Sequence, residues 1–330
     1  MTSTQQTPRP DPTRTGVLER GGQRIAWREH GRADGIPLLY LHGGPGGGLG
    51  KGGYVLNSDL DVYRVIGFDQ RGCGDSTPLA GEDEHDLDAN TTPTLIEDIE
   101  ALREHLGIEA FVLNGVSWGS TLALAYAQAH PERVLGIVLF AVTTSRAEEV
   151  LWISEGVRIV FPEDWDALAA VVEAEHPSWR RGSTPIIGAV AELMRSTDAA
   201  QRERVALAWG AWEEAHISIA AGRPDPAHPS RFQDPAWIVP FTTLVAHYWA
   251  HCGFLEPPIL DRMETIAHLP GYLIHGRRDV SGPATTPWEL HQRWPGSELV
   301  VIEEEGHGGP LMVQEWRRAN RELAERLRGA

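Results

Sequence analysis

Ser117 stands at the centre of Gly115-Val116-Ser117-Trp118-Gly119, a G-x-S-x-G pattern set between an apolar run and a helical pattern. Ala110-Phe111-Val112-Leu113 reads as a short buried strand, and Ser120 to His130 as a small-residue helix stopped by Pro131. A serine between a strand and a helix, flanked by glycines that let neighbouring backbone approach, has the make-up of a nucleophile elbow. A serine hydroxyl is a weak nucleophile unless a base takes its proton. Two candidates to complete that chemistry follow downstream. Asp279 comes after the apolar run Gly271 to Ile274, and His307 comes after Glu298 to Ile302. Histidine changes protonation near neutrality, and a buried aspartate would orient its ring and stabilise the imidazolium. Each of the three lies just past an expected strand, and ligands of open parallel sheets bind at the carboxyl ends of strands.

A second constellation supplies the electrophilic element. Pro37 to Leu41 reads as a buried strand running into His42-Gly43-Gly44-Pro45-Gly46-Gly47-Gly48. Free backbone N–H groups at such a turn suit an oxyanion hole, with one donor from Gly44 (Gly43 the alternative) and the other from Trp118. A phosphate-loop reading of the segment fails. Lys51 follows Gly50, but Pro45 stands where that motif needs its first glycine, and Gly52 stands where it needs Ser or Thr.

Elements that must hold these residues in place can be read around them. A hairpin over Gly16 to Gly31 turns at Gly21-Gly22, and parallel strands are expected at Leu38 to Leu41, Tyr63 to Phe68, Ala110 to Leu113 and Val134 to Ala141. From 145 to 261 the strand–helix alternation gives way to Trp- and Ala-rich helical patterns broken by Pro162, Pro177, Pro185 and the turn-rich segment Gly222 to Pro235. Alternation then resumes and closes with a helix over about Val313 to Arg328. The expected organisation is therefore a tail at 1–14, a core at 15–144 and 262–330, and a helical cap at 145–261. At 330 residues the chain exceeds the usual size of a single hydrophobic core, about 250–300 residues, which suits a core with an insertion.

The net charge is 29 − 46 = −17, which argues against nucleic acid or an anionic membrane as partner. Two cysteines, Cys73 and Cys252, make no disulfide framework and point to a reducing compartment. Met1 to Arg14 is rich in Thr, Pro and Gln without the apolar stretch of a signal peptide, and no apolar run approaches 18 residues. The expectation is a cytoplasmic protein acting on a small molecule or short peptide.

Taken together, these segments resemble the proline iminopeptidases (prolyl aminopeptidases), serine hydrolases of the α/β-hydrolase fold, in which Ser, Asp and His occur in this chain order. The similar stretches are His42 to Gly48, Asp69 to Ser76 (DQRGCGDS), Asn90 to Ile108, Gly115 to Pro131, His275 to Pro283 and Gly306-His307. The resemblance implies a mostly parallel central sheet with helices on both faces and an inserted helical cap. It also implies cleavage after an N-terminal residue, often proline, with no metal or organic cofactor. Ser117, Asp279 and His307 would be the triad, and Asp69 and Arg71 supports at its edge. Trp209-Gly210-Ala211-Trp212-Glu213 matches the family's W-x-x-W-E cap motif, which makes Glu213 the residue implied to hold the substrate's free amino terminus. Gly43, Trp212 and Tyr248 complete the implied substrate-binding set, while the other cap tryptophans divide between pocket and core. Two departures stand out. Val245 occupies the position of the family's second cap carboxylate, and Thr143 that of an aromatic wall. They keep an esterase, lactonase, amidase or acyl-transfer reading open on the same scaffold.

Overall fold

The computed structural model describes residues 9–218 and 230–329. Its strands are β1 (Arg14–Arg20), β2 (Gln23–Gly31), β3 (Ile36–Leu41), β4 (Tyr63–Phe68), β5 (Phe111–Val116), β6 (Val134–Phe140), β7 (Gly271–Gly276) and β8 (Ser297–Ile302). They form one eight-stranded sheet in the order β1-β2-β4-β3-β5-β6-β7-β8. The two pairings that involve β2 are antiparallel and the remaining five are parallel. At the antiparallel edge Arg20 pairs with Gln23 across Gly21-Gly22, whose φ angles of 54° and 75° are what a two-residue hairpin turn requires. Residues 1–8 lie outside the described residues, Thr13 donates its N–H to Glu29 O at 2.7 Å, and β1 already includes Arg14.

The central strands are apolar on both faces because helices cover both. Leu38, Val65, Val112, Val138 and Ile274 pack against Met312, Trp316, Ala319 and Leu323 of the last helix, α9 (Pro310–Gly329). On the other face Leu39, Ile66, Leu113, Ile137 and Leu139 join Leu95, Ile99 and Leu102 of α1 (Thr92–His105) and Leu122 and Tyr126 of α2 (Trp118–Ala129). Thr91 caps α1 with a proline in its first turn, a local signal for a helix start at that position.

Between β6 and β7 the described residues form no strand. Helices α3 (Ala147–Ser154), α4 (Pro162–Glu175), α5 (Ile186–Met194), α6 (Ala199–Ile217) and α7 (Pro235–Ala250) occupy this insertion, and α8 (Thr285–Arg293) follows β7. The prolines expected to break the helical pattern lie at the breaks between helices. Pro162 is the first residue of α4, Pro177 lies just beyond its end and Pro185 precedes α5. Of the expected turn-rich segment, residues 222–229 lie outside the described residues, and Pro235 begins α7. Trp165, Trp179, Trp209 and Trp212 are buried in an apolar cluster continuous with the α1–α2 side of the sheet, so these tryptophans are core. No described helix is long and apolar enough to cross a membrane.

Candidate active site

The turn after β5 is set by close backbone packing. A Cβ on Gly115 would lie 2.3 Å from Gly119 O, and one on Gly119 would lie 2.0 Å from Leu41 O, so neither position admits a side chain. Between them Ser117 is held at φ 54° and ψ −124°, a conformation that costs a non-glycine residue about 1–3 kcal/mol and persists because the neighbours over-determine it. Its N–H is tied to Phe140 O at 2.9 Å.

Ser117, His307 and Asp279 form one hydrogen-bonded line. His307 Nε2 is 3.1 Å from Ser117 Oγ, and His307 Nδ1 is 2.8 Å from Asp279 Oδ2. Asp279 Oδ1 accepts the N–H groups of Ser281 and Gly282 at 3.0 and 3.1 Å. With the carboxylate able only to accept, Nδ1 carries the proton and Nε2 presents its lone pair to the serine. Burial would raise the pKa of Asp279, but the charge and hydrogen bond of His307 outweigh it and hold the carboxyl below its usual value. Burial would likewise lower His307; Asp279, through charge and hydrogen bond, and then Glu213 more than offset it, leaving the imidazole above its ordinary 6.5. The side chain of His307 is 25% exposed and that of Asp279 is fully covered, an arrangement that lets the base reach a substrate while its orienting partner stays dry.

Beside Ser117 lies a cavity of about 50 Å³ bounded by Gly44, Trp118, Thr143, Val150, Ile153, Trp249 and His307, among others. Among the described residues the N–H groups of Gly44 and Trp118 donate to no protein acceptor. Trp118 opens α2, and the first N–H groups of a helix have no intrahelical partner. Both amides are thus free to meet a developing oxyanion. Gly43 lies directly against the nucleophile, since a Cβ there would stand 3.1 Å from Ser117 Cβ.

Several residues that position this site were not singled out from the sequence. Gln70 links three segments: its N–H donates to His42 Nε2 at 3.0 Å, its amide NH₂ to His42 O at 3.1 Å, and its Oε1 accepts Trp118 Nε1–H at 3.0 Å. His275 accepts the N–H of Val142 at Nδ1 and donates from Nε2 to Gly282 O, bracing the Asp279 loop. Glu305 accepts the N–H groups of Leu311 and Met312 at 2.7 Å each and so caps α9 just beyond His307. Gln70 and His275 sat inside the quoted motifs, but nothing in the spacing disclosed their partners. The expected supports behave as such. Asp69 accepts the N–H groups of Leu49 and Asp75, and Arg71 pairs with buried Asp98 through Nε at 2.7 Å and Nη2 at 2.6 Å. Cys73 is buried, which pushes its thiol pKa well up and leaves it unsuited to nucleophilic work.

The cap positions divide. Glu213 is 6% exposed and accepts Trp209 Nε1–H at 3.2 Å; burial pushes its carboxyl up to about 7, against the opposing pull of Trp209, His307 and Arg231. Trp212 and Tyr248, like Glu213 and Gly43, are not among the residues that bound the cavity at Ser117. Trp212 is buried with its indole N–H on Ile153 O, and Tyr248 is buried with its hydroxyl donating to Asn90 Oδ1 at 2.7 Å and its ring edge-on to Trp118. Trp249, one residue on, reaches the cavity instead. Thr143 also bounds it, with its hydroxyl donating to Glu149 Oε1 at 3.1 Å.

A strained serine after a parallel strand, a histidine and an aspartate from later strand ends, and two free amides define the site of an α/β-hydrolase. A family model described as alpha/beta hydrolase fold matches residues 36–176. The chain is 38% identical to a probable proline iminopeptidase of Streptomyces coelicolor over 91% of each chain, and 37% identical to one of Leptolyngbya boryana over 90% of this chain and 89% of the relative. The crystal structure of a proline iminopeptidase from Mycobacterium smegmatis superposes with a TM-score of 0.60 at 20% identity, over 95% of this chain and 98% of that one. The chain belongs to the proline iminopeptidase family of α/β-hydrolases.

Proposed function

We propose that the protein is a serine aminopeptidase that releases an N-terminal residue, proline or a close analogue, from a small amide or short peptide. Ser117 Oγ attacks the carbonyl of that residue while His307 Nε2 takes its proton. The oxyanion settles on the N–H groups of Gly44 and Trp118. His307 then protonates the leaving amine, and water, activated by the same imidazole, hydrolyses the acyl-enzyme. Asp279 keeps the ring in the reactive tautomer, and Glu213 receives the substrate's ammonium. The observation that carries this reading is the unbroken hydrogen-bonded line Asp279–His307–Ser117.

The inserted segment 145–261 acts as the cap that reads the amino end. The acidic balance of the chain disfavours nucleic acid and anionic membranes as partners. Its two unpaired cysteines support a cytoplasmic site of action.

An esterase, lactonase, amidase or acyl-transfer activity is the second reading. It is favoured by Val245, fully buried at the position of the family's second carboxylate, and by Thr143 in place of an aromatic wall. Hydrolysis of prolyl-, alanyl- and N-acetylprolyl-arylamides, compared with a short acyl ester, tests the choice. Strong preference for the free prolyl-arylamide is expected, and equal or better turnover of the blocked amide or the ester overturns the aminopeptidase reading.

A further inference from the structure

A second cavity shares a wall with the one at Ser117. It has a volume of about 590 Å³ and lies among α3, the turn after α4, α5 and the end of α7, and Val150 and Trp249 bound both spaces. Its inner end is apolar, since Trp179 and the α5 residues Ile187 and Ala189 are buried there beside those two side chains. Its outer end reaches solvent at Leu151, which is 51% exposed, and at the exposed residues Ser183 and Glu192. Polar side chains along it are already engaged within the protein. Ser154 Oγ donates to Val150 O at 2.7 Å, Trp179 Nε1–H to Thr184 O at 3.0 Å and Ser183 Oγ to Arg180 O at 2.6 Å, while His176 Nε2 is 2.9 Å from Glu192 Oε2. Gly188 opens directly onto the space: outside its own helix, a Cβ there would meet no atom within 4 Å.

We infer that this cavity receives the amine side of the scissile amide, and that the amine carries an extended hydrocarbon group rather than a peptide chain. This rests on the aminopeptidase reading above and names the class of substrate. That reading directs the ammonium of the acyl residue to Glu213 on α6, and among the described residues that bound the second cavity none belongs to α6, so the space beyond Val150 and Trp249 falls to the other side of the bond. The two volumes divide the substrate in the same way. About 50 Å³ at Ser117 leaves room only for a small acyl residue, whereas about 590 Å³ lies within the roughly 300–1,000 Å³ of ligand pockets. A buried peptide group needs hydrogen-bond partners, and walls whose polar side chains already pair within the protein supply few of them. Methylenes need none and gain from leaving water.

The test uses the intact enzyme and a ladder of prolyl N-alkylamides from methyl to octyl, with prolyl-leucyl-leucinamide and the nitrophenyl esters of acetate and octanoate beside it. Once the alkyl chain enters the cavity, kcat/KM is expected to rise about 4-fold per methylene and by about 100-fold or more across the ladder, with the peptide amide well below the octylamide. Gly188→Leu, which fills the space from a position with room for a side chain, should erase most of that rise and leave N-methylamide turnover and Tm close to wild type. A flat ladder, or a slope that Gly188→Leu leaves unchanged, overturns the inference, and a peptide amide that surpasses the octylamide overturns the hydrocarbon assignment. If the ladder is flat while the free prolyl methylamide is still preferred over its N-acetylated form, only the subsite fails. If every prolylamide is refused while octanoate turns over faster than acetate and Gly188→Leu removes that gain, the cavity takes the acyl side and the aminopeptidase reading fails with the inference. Should Gly188→Leu not fold, Leu151→Glu at the exposed rim takes its place: a lower slope toward the octylamide is expected, and an unchanged slope overturns the proposal.

Discussion

The strand-end site and the buried pair on α6 handle polar groups in opposite ways. At the strand ends, position comes from backbone: glycines packed against carbonyls force Ser117 into its φ of 54°, and the triad atoms already stand at 2.8 and 3.1 Å. On α6, position comes from side-chain burial, and the polar atoms of Glu213 and His216 are left under-paired at 3.7 Å. The first region is hydrogen-bonded throughout without substrate, as the proposed catalytic role requires. In the second, low dielectric makes an unpaired polar group costly. On the proposed function catalysis belongs to the first region and selectivity to Glu213 in the second, and variants should divide along the same line.

The largest effect is expected at the strand ends. Ser117→Ala should lower kcat by about 10⁴-fold or more on every substrate without lowering Tm, and Asp279→Asn should be comparably damaging; the second loss should not add to the first because the triad acts as one unit. Steady-state kinetics of the single and double variants, with thermal unfolding, check this, and a substrate-selective loss at Ser117 would erase the contrast between the regions. Next comes Gln70→Ala. It leaves Trp118 Nε1 and His42 O without a partner while leaving every reacting group in place, so kcat should fall by up to about 100-fold through misplacement of the oxyanion amides, on amides and esters alike. A change confined to free-amine substrates would instead attach Gln70 to the cap.

A smaller and selective effect belongs to Glu213→Gln. It should raise KM about 10-fold for free prolyl-arylamides and leave N-acetylated amides and esters unaffected, as loss of one charge-assisted hydrogen bond predicts. The pH profile sharpens the same division. If His307 is the neutral base, its raised pKa makes kcat/KM for an ester climb as pH rises through an apparent pKa above 6.5. Asp279→Asn removes the main raising partner and should move that limb to lower pH. If Glu213 holds the ammonium, a free-amine substrate should show a second loss on the acid side, because a carboxyl pushed up to about 7 must give up its proton before it can pair with a cation. Identical acid limbs for ester and amine substrates would show that Glu213 does not read the amino end.

Local signals were enough for much of this. The strand Tyr63–Phe68 was expected to the residue, the hairpin at Gly21-Gly22 was legible from its turn chemistry, and Phe111–Val116 differs from expectation mainly by running on to the elbow itself. The surroundings of Trp212 and Tyr248 were not legible in this way. An aromatic side chain in an apolar helix has the same sequence signature whether it faces a cavity or the core, and here packing turned both inward while Trp249 reached the cavity.

Sequence by itself determined the order Ser117, Asp279, His307, the strands that precede them and the glycines around the nucleophile, because those depend on contiguous residues whose backbone demands are local. Tertiary structure alone decided which side chains face each other. His216 meets Ser281 across 65 residues, and Gln70 meets Trp118 across 48. Such encounters follow from how the inserted helices and loops settle on the apolar core, a non-local balance of burial that fixes rotamers and leaves no periodic or spacing signal along the chain.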